Sequence, residues 1–235
     1  EPLEGLIGDS GISHNCTLQV IMGMASMIYT TSGAFAAVTT DGSVITWGDA
    51  ECGGDSSAVQ DNLANIKHIY STEFAFAALT TDGSVITWGG EDYGGDSTAV
   101  KTQLANVQHI YSAGLAFAAV KTDGSVVTWG DPYNGGVSMA VQGQLVNVKH
   151  VYSTYGSRAF AALKNDGSVV TWGDAEGGGD SAAVQEQLVN VQYISCAEGA
   201  FAAMKSDGSV VTWGDPHDGG DSTGVQDQLA SVRHI

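Results

Sequence analysis

The tetrapeptide Thr-Trp-Gly followed by Asp or Gly occurs five times, its tryptophans Trp47, Trp88, Trp129, Trp172 and Trp213 separated by 41, 41, 43 and 41 residues. A period of that length marks a solenoid or a propeller, in which each unit has an apolar face that it buries only by stacking on a neighbour. The repeats are expected over 27–235, with 1–26 as an N-terminal extension or a degenerate partial repeat in which Gly8-Asp9-Ser10 echoes a repeat loop. One all-β domain follows from an unbroken array of this length.

Within a unit, two β-prone runs flank an Asp-Gly pair at Asp41-Gly42, Asp82-Gly83, Asp123-Gly124, Asp166-Gly167 and Asp207-Gly208. Asp-Gly between such runs predicts a hairpin with a type I′ turn, whose two central residues both take positive φ. Behind each tryptophan comes a Gly-rich acidic loop and then a segment such as Asp55-Ser56-Ser57-Ala58-Val59, where Asp and Ser predict the cap of one or two helical turns. A third strand follows, at Met27–Thr30, Ile66–Ser71, Val107–Ser112, Val148–Ser153, Val191–Cys196 and Val232–Ile235. That gives six third strands for five hairpins, consistent with a five-bladed ring carrying a surplus strand or with part of a longer array. Apolar residues on both strand faces predict small sheets sandwiched between others, and radial stacking of such sheets is a β-propeller. The alanine-rich strand, for example Ala75, Ala77 and Ala78, is expected nearest the axis, where space is short.

The run Ala162-Leu163-Lys164-Asn165-Asp166-Gly167-Ser168-Val169-Val170-Thr171-Trp172-Gly173 resembles the repeat of the regulator-of-chromosome-condensation propeller superfamily. Its length is closer to the compact bacterial form, similar to the β-lactamase-inhibitor propeller. The resemblance covers Met27 to the C-terminus and implies the fold. Relatives include an exchange factor, ubiquitin-ligase modules and enzyme inhibitors, so the implied function is broad. Family repeats often carry a histidine where this chain has Ala34, Ala75, Ala116, Ala159 and Ala200, and no functional residue carries over.

Twenty-six acidic residues against six lysines and two arginines leave a formal charge of −18, which opposes a phosphate backbone. Nucleic acid is therefore not an expected partner, while basic protein patches and cations are favoured. No apolar run approaches the roughly 20 residues that span a bilayer, so membrane insertion is not expected. Cys16, Cys52 and Cys196 share no repeat position; unpaired thiols are expected, with a Cys16–Cys52 bridge as the alternative. Asn15-Cys16-Thr17 fits a glycosylation acceptor. The opening Glu1-Pro2-Leu3 lacks an initiator methionine, as after removal of a targeting segment or in a piece of a longer chain.

Three constellations are candidates for function. The loops behind the tryptophans vary most from unit to unit, and Tyr93, Tyr133, Asn134, Met139 and His217 are the expected partner-binding residues. In the same loops Asp49, Glu51 and Asp55, and likewise Asp174, Glu176 and Asp180, alternate with glycine as weak calcium ligands; no other cofactor is expected. His68, His109, His150 and His234 fall on one repeat position, completed by Met27 and Tyr193. No nucleophile elbow, phosphate loop or paired metal-ligand motif points to catalysis. The leading expectation is a non-enzymatic interaction scaffold, an accessory subunit of a larger assembly being one form. A cation- or glycan-binding propeller and an enzyme with an axial site stand as alternatives.

Overall fold

The computed structural model describes residues 18–20, 26–154, 156 and 158–235. Among them are five antiparallel sheets, stacked in chain order as propeller blades. The first contains β1 (Leu18–Val20), β2 (Ser26–Thr30), β3 (Ala34–Val38) and β4 (Val44–Gly48). The second contains β5 (Ile66–Ser71), β6 (Ala75–Thr80) and β7 (Val85–Gly89). The third contains β8 (Val107–Ala113), β9 (Ala116–Lys121) and β10 (Val126–Gly130). The fourth contains β11 (Val148–Ser153), β12 (Ala159–Lys164) and β13 (Val169–Gly173). The fifth contains β14 (Val191–Cys196), β15 (Ala200–Lys205) and β16 (Val210–Gly214).

Strand order corrects two expectations. The alanine-rich strand is the middle of each sheet, as in β5-β6-β7, and is buried along its whole length in β6. The strands that approach one another from blade to blade are β2, β5, β8, β11 and β14, so the histidine-bearing strand is the inner one. Alanine is small there because two neighbouring blades press on both faces of the middle strand. The third strand also does not return to its own unit: β5 pairs with β6 of the next repeat, so every blade joins the end of one repeat to the hairpin of the next. Val232–Ile235, expected as a sixth third strand, is not a strand.

The hairpin turns also differ from expectation. Gly42, Gly83, Gly124, Gly167 and Gly208 take φ between 78° and 83°, but no aspartate before them does. Gly83 N–H donates to Thr80 O and Thr80 N–H to the Ser84 carbonyl, the pattern of a type I turn closed by a left-handed glycine. Aspartate earns its place by accepting the N–H two residues on, as Asp82 Oδ1 does from Ser84 at 3.0 Å. These hydrogen bonds hold the Asp41, Asp82, Asp123, Asp166 and Asp207 carboxyls below the usual range, led by the side-chain hydroxyls of Thr39, Thr80, Ser125, Ser168 and Ser209.

Each junction between successive blades is one apolar cluster. At the fourth junction Ala159, Ala161, Leu163 and Val169 of one blade, with Leu188 of the connection, meet Val191, Phe201, Ala203, Val211 and Trp213 of the next. The phenylalanine and tryptophan are a cross-strand pair, Phe201 opposite Trp213, with rings stacked at 5.1 Å. Tryptophan also spans the junction with its polar atom: Nε1 of Trp88, Trp129, Trp172 and Trp213 donates to the carbonyl of Gly53, Gly94, Gly135 and Gly178 in the preceding blade's loop, at 3.0 to 3.1 Å. Those four tryptophans are core, but Trp47 has no preceding blade among the described residues and is 43% exposed.

The segment after the loop is held by side chains rather than by a helix cap. Ser181 Oγ bonds Thr171 Oγ1 at 2.9 Å and donates to Gln185 Oε1 at 2.8 Å, while Gln185 Nε2 donates to the Val169 carbonyl at 3.0 Å. The same Thr-Ser-Gln chain recurs at Thr46, Ser56 and Gln60 and at Thr128, Ser138 and Gln142. The serine expected to cap a helix thus ties a short 3₁₀ turn to its own outer strand. Cys52 and Cys196 are free thiols; Asn15, Cys16 and the loop echo at Gly8 lie outside the described residues.

Candidate functional site

The loops behind the tryptophans form one rim. Four of the five begin with an aspartate that accepts from its own loop, the second having Gly90 there: Asp49 accepts from Glu51 N–H at 2.8 Å, Asp174 from Gly177 N–H at 2.7 Å, Asp215 from His217 N–H at 2.8 Å. Asp131 accepts from the N–H groups of Tyr133 and Asn134 at 2.9 and 3.0 Å and from the Asn134 side chain. The second acid does the same further on, Asp55 from Ser57 and Asp180 from Ala182. The backbone N–H of Ser57 is also the first cause that lowers the Asp55 carboxyl. Of the calcium candidates, Asp49, Asp55, Asp174 and Asp180 therefore serve as local caps, while Glu51 and Glu176 point to solvent. Among the described residues no three His, Cys, Asp or Glu side chains gather as a metal site.

The partner-binding candidates separate into two kinds. Tyr133 and Met139 are 84% and 85% exposed in the loop of the third blade, beside the exposed Val137 that replaces an acid. Tyr93 is half-buried, its ring 4.9 Å from Phe74, and its carbonyl accepts from Thr72 Oγ1. Asn134 is half-buried by its bond to Asp131, and His217 is exposed next to Pro216. The rim is thus a repeated acidic frame with one protruding apolar tip.

A second arrangement lies on the inner strands. Tyr29, Tyr70 and Tyr111 hydroxyls bond Nδ1 of His68, His109 and His150 in the next blade at 3.2, 3.2 and 3.0 Å. Within each strand the histidine lies beside the tyrosine two residues on, with ring centroids 4.5 to 4.6 Å apart. The series ends where Tyr152 meets Tyr193 edge-on at 5.6 Å. Burial holds the three imidazoles below their ordinary value and pushes the Tyr70 hydroxyl up to about 12. A neutral ring accepts the phenolic O–H on Nδ1 and keeps its own proton on Nε2. The shared histidine position did not reveal this pairing; the missed signal was the recurring His-x-Tyr triplet, which puts both rings on one side of a strand.

Two grooves open between outer strands, one along Val85–Gly89 lined by Asn62, Asp82 and Lys101, the other along Thr212–Gly214 lined by Glu176 and Asp180. No described helix is long and apolar enough to cross a membrane.

No protein-family model and no curated protein matches the chain. Among solved structures it is similar to Prp20p from Saccharomyces cerevisiae, at 17% identity and a TM-score of 0.50, covering 80% of this chain and 57% of that one. Prp20 is yeast RCC1. The fold is a β-propeller, the architecture these structures share. A second likeness is to the ectodomain of the receptor kinase CR4 from Physcomitrella patens, at 15% identity and a TM-score of 0.52, covering 85% of this chain and 53% of that one. A third is to the CRINKLY WD40 ectodomain of the Arabidopsis thaliana receptor kinase ACR4, at 12% identity and a TM-score of 0.50, covering 80% and 68%. The chain spans little more than half of Prp20p and of the CR4 ectodomain. At such identities the likeness to RCC1-like propellers is one of architecture.

Proposed function

We propose that this chain is a non-enzymatic protein-interaction scaffold that engages its partner through the loop rim, with Tyr133 and Met139 as the anchor. The observation that carries the reading is their exposure, 84% and 85%, on a loop whose frame is otherwise fixed by Asp131. Tyrosine and methionine add contact area, and interfaces are enriched in both. With a formal charge of −18, the fitting partner carries a basic patch around an apolar hollow. The RCC1-like fold supports a binding role: yeast Prp20p is described with binding to Gsp1p and histones, and Kap60 is bound to it in another structure. Membership of a larger assembly as an accessory subunit belongs to the same proposal.

The test is recovery of a stoichiometric partner from native extract on the immobilised chain. Tyr133→Ala and Met139→Ala should each weaken capture about fivefold or more, the effect of losing over 1 kcal/mol at an interface anchor. Lys164→Ala, beside the hairpin turn on the opposite rim, should leave it unchanged. Recovery of no partner, or equal losses from both rims, would overturn the reading.

A further inference from the structure

The outer strand of the second blade is less covered than its counterparts in the third and fourth. In β10 and β13, Val126, Val127 and Thr128, and likewise Val169, Val170 and Thr171, are at most 8% exposed, whereas Val85, Ile86 and Thr87 of β7 are only half-buried. The clamp on β7 is also incomplete. Gln60, Gln142, Gln185 and Gln226 donate Nε2 to the carbonyls of Val44, Val126, Val169 and Val210 at 2.9 to 3.1 Å. Lys101 stands at that position beside β7, and no side chain among the described residues donates to the Val85 carbonyl. Ser97 still bonds Thr87 at 2.9 Å, but it has no amide beyond it and is half-buried where Ser138 and Ser181 are 4% exposed.

This leaves a strand edge open. Peptide groups alternate along an edge strand, one residue turned to the sheet and the next away from it. The Val44 carbonyl faces out, since Gln60 reaches it, and Val85 and Thr87 have the same parity in β7. Their outward N–H and C=O groups face the groove along Val85–Gly89, which opens between Ala58 of the preceding connection and Lys101. An edge with free main-chain groups is a template for an added strand. Asp55, Asp82, Glu91 and Asp96 line the groove, with Lys101 as the one cation among the described residues that line it. Three of these carboxylates are held in place by a local N–H, from Ser57, Ser84 and Thr98 at 2.8 to 3.0 Å.

We propose that β7 is a docking edge for an extended basic segment of a partner protein, which adds to the second blade as a fourth strand. The main-chain groups of Val85 and Thr87 pair with the backbone of that segment, and its lysine or arginine side chains meet the carboxylates along the groove. The third and fourth blades do not offer the same edge, because Gln142 and Gln185 already occupy the matching carbonyl. The site uses neither Tyr133 nor Met139 and stands apart from the loop-rim reading.

Fluorescence anisotropy with a fluorescein-labelled peptide of alternating lysine and valine tests it, together with amide hydrogen exchange. The parent should bind the peptide and show slowed exchange at the Val85 and Thr87 amides. Lys101→Gln removes a positive charge, which by itself favours a basic peptide, yet it restores the clamp; binding should fall about tenfold, the effect of one or two lost main-chain hydrogen bonds. Lys101→Ala removes the same charge and restores nothing, so it should bind at least as tightly as the parent. Glu91→Gln should weaken binding about threefold at low salt, as for an exposed ion pair. Tyr133→Ala should bind like the parent, which keeps this site distinguishable from the loop rim. Melting curves check that each variant is folded. A parent that does not bind, protection confined to other strands, a Lys101→Gln variant that binds like the parent, or a Lys101→Ala variant that loses binding as the glutamine does would overturn the proposal. Undiminished binding of the same peptide with methylated backbone nitrogens would do so too, since that peptide has no N–H to give the Val85 carbonyl.

Discussion

Trp172 and Trp47 hold the same place in the same motif, yet one is 4% exposed and the other 43%. Both lie opposite a phenylalanine across the sheet, Trp172 facing Phe160 and Trp47 facing Phe35, with the rings stacked at 5.1 and 5.2 Å. The difference comes entirely from what stands in front. Trp172 meets Val120 and Val126 of the third blade and donates to the Gly135 carbonyl, whereas Trp47 meets solvent. In a stacked array, then, the contribution of a residue to stability is a property of the junction and not of the motif.

The largest expected effect follows directly. Trp172→Ala should cost about 3–5 kcal/mol, the usual loss for a buried tryptophan. Trp47→Ala should cost within about 0.5 kcal/mol, as at ordinary surface positions. Denaturant unfolding checks both, and equal losses would mean that the first blade is covered in solution.

A finer contrast separates the fourth blade from the second, where Lys101 replaces the glutamine that bonds serine and strand carbonyl elsewhere. Gln185→Ala should cost about 1–2 kcal/mol, since the Val169 carbonyl and the Ser181 hydroxyl each lose a partner. Lys101→Ala should be nearly neutral, and Lys101→Gln should raise the second blade's stability by about 1 kcal/mol if it builds the missing bonds. No gain would show that the outer strand of that blade is satisfied by other means.

The smallest effect concerns the inner strands. His68, His109 and His150 have folded-state pKa values lowered by burial, so the unfolded chain takes up protons first as pH falls. Their contribution is therefore full above the unfolded value near 6.5 and is lost as pH drops through the folded values. The melting temperature should decline between pH 7.5 and 5.5, before the hairpin aspartates titrate, and His109→Gln should flatten that slope. The hairpin aspartates act in the same sense at lower pH, because their folded values are also depressed. A flat melting profile in the parent would remove the histidines from the stability of the inner strands.

Much of this architecture was legible in the chain. The Trp-Gly period gave the number of hairpins, and the Asp-Gly pairs gave their positions. Strand order was not legible, because β6 and its neighbours are apolar on both faces and a period of two says nothing about which edge faces the axis. Phase was hidden for a similar reason: Ile66–Ser71 pairs as well with the hairpin after it as with the one before. The turn type was misread because Asp82 is chosen for the N–H its carboxylate accepts, a preference that left-handed backbone also produces in aspartate. At the candidate site variation between units singled out Tyr93, Tyr133 and Met139 alike, yet Tyr93 packs on Phe74 while the other two stand exposed. Variation marks tolerance, and only packing tells an exposed tip from a filler.

The offset between repeat and blade has a mechanical consequence. Because β5 belongs to one repeat and β6 and β7 to the next, no cut at a repeat boundary frees a whole sheet. A chain drawn out from its C-terminus would surrender two strands of one blade and then the inner strand of that same blade only as the preceding repeat begins to yield. Each step of unravelling loosens the next unit before it is reached, so the array is built like overlapping tiles rather than like beads, and tension is handed along it.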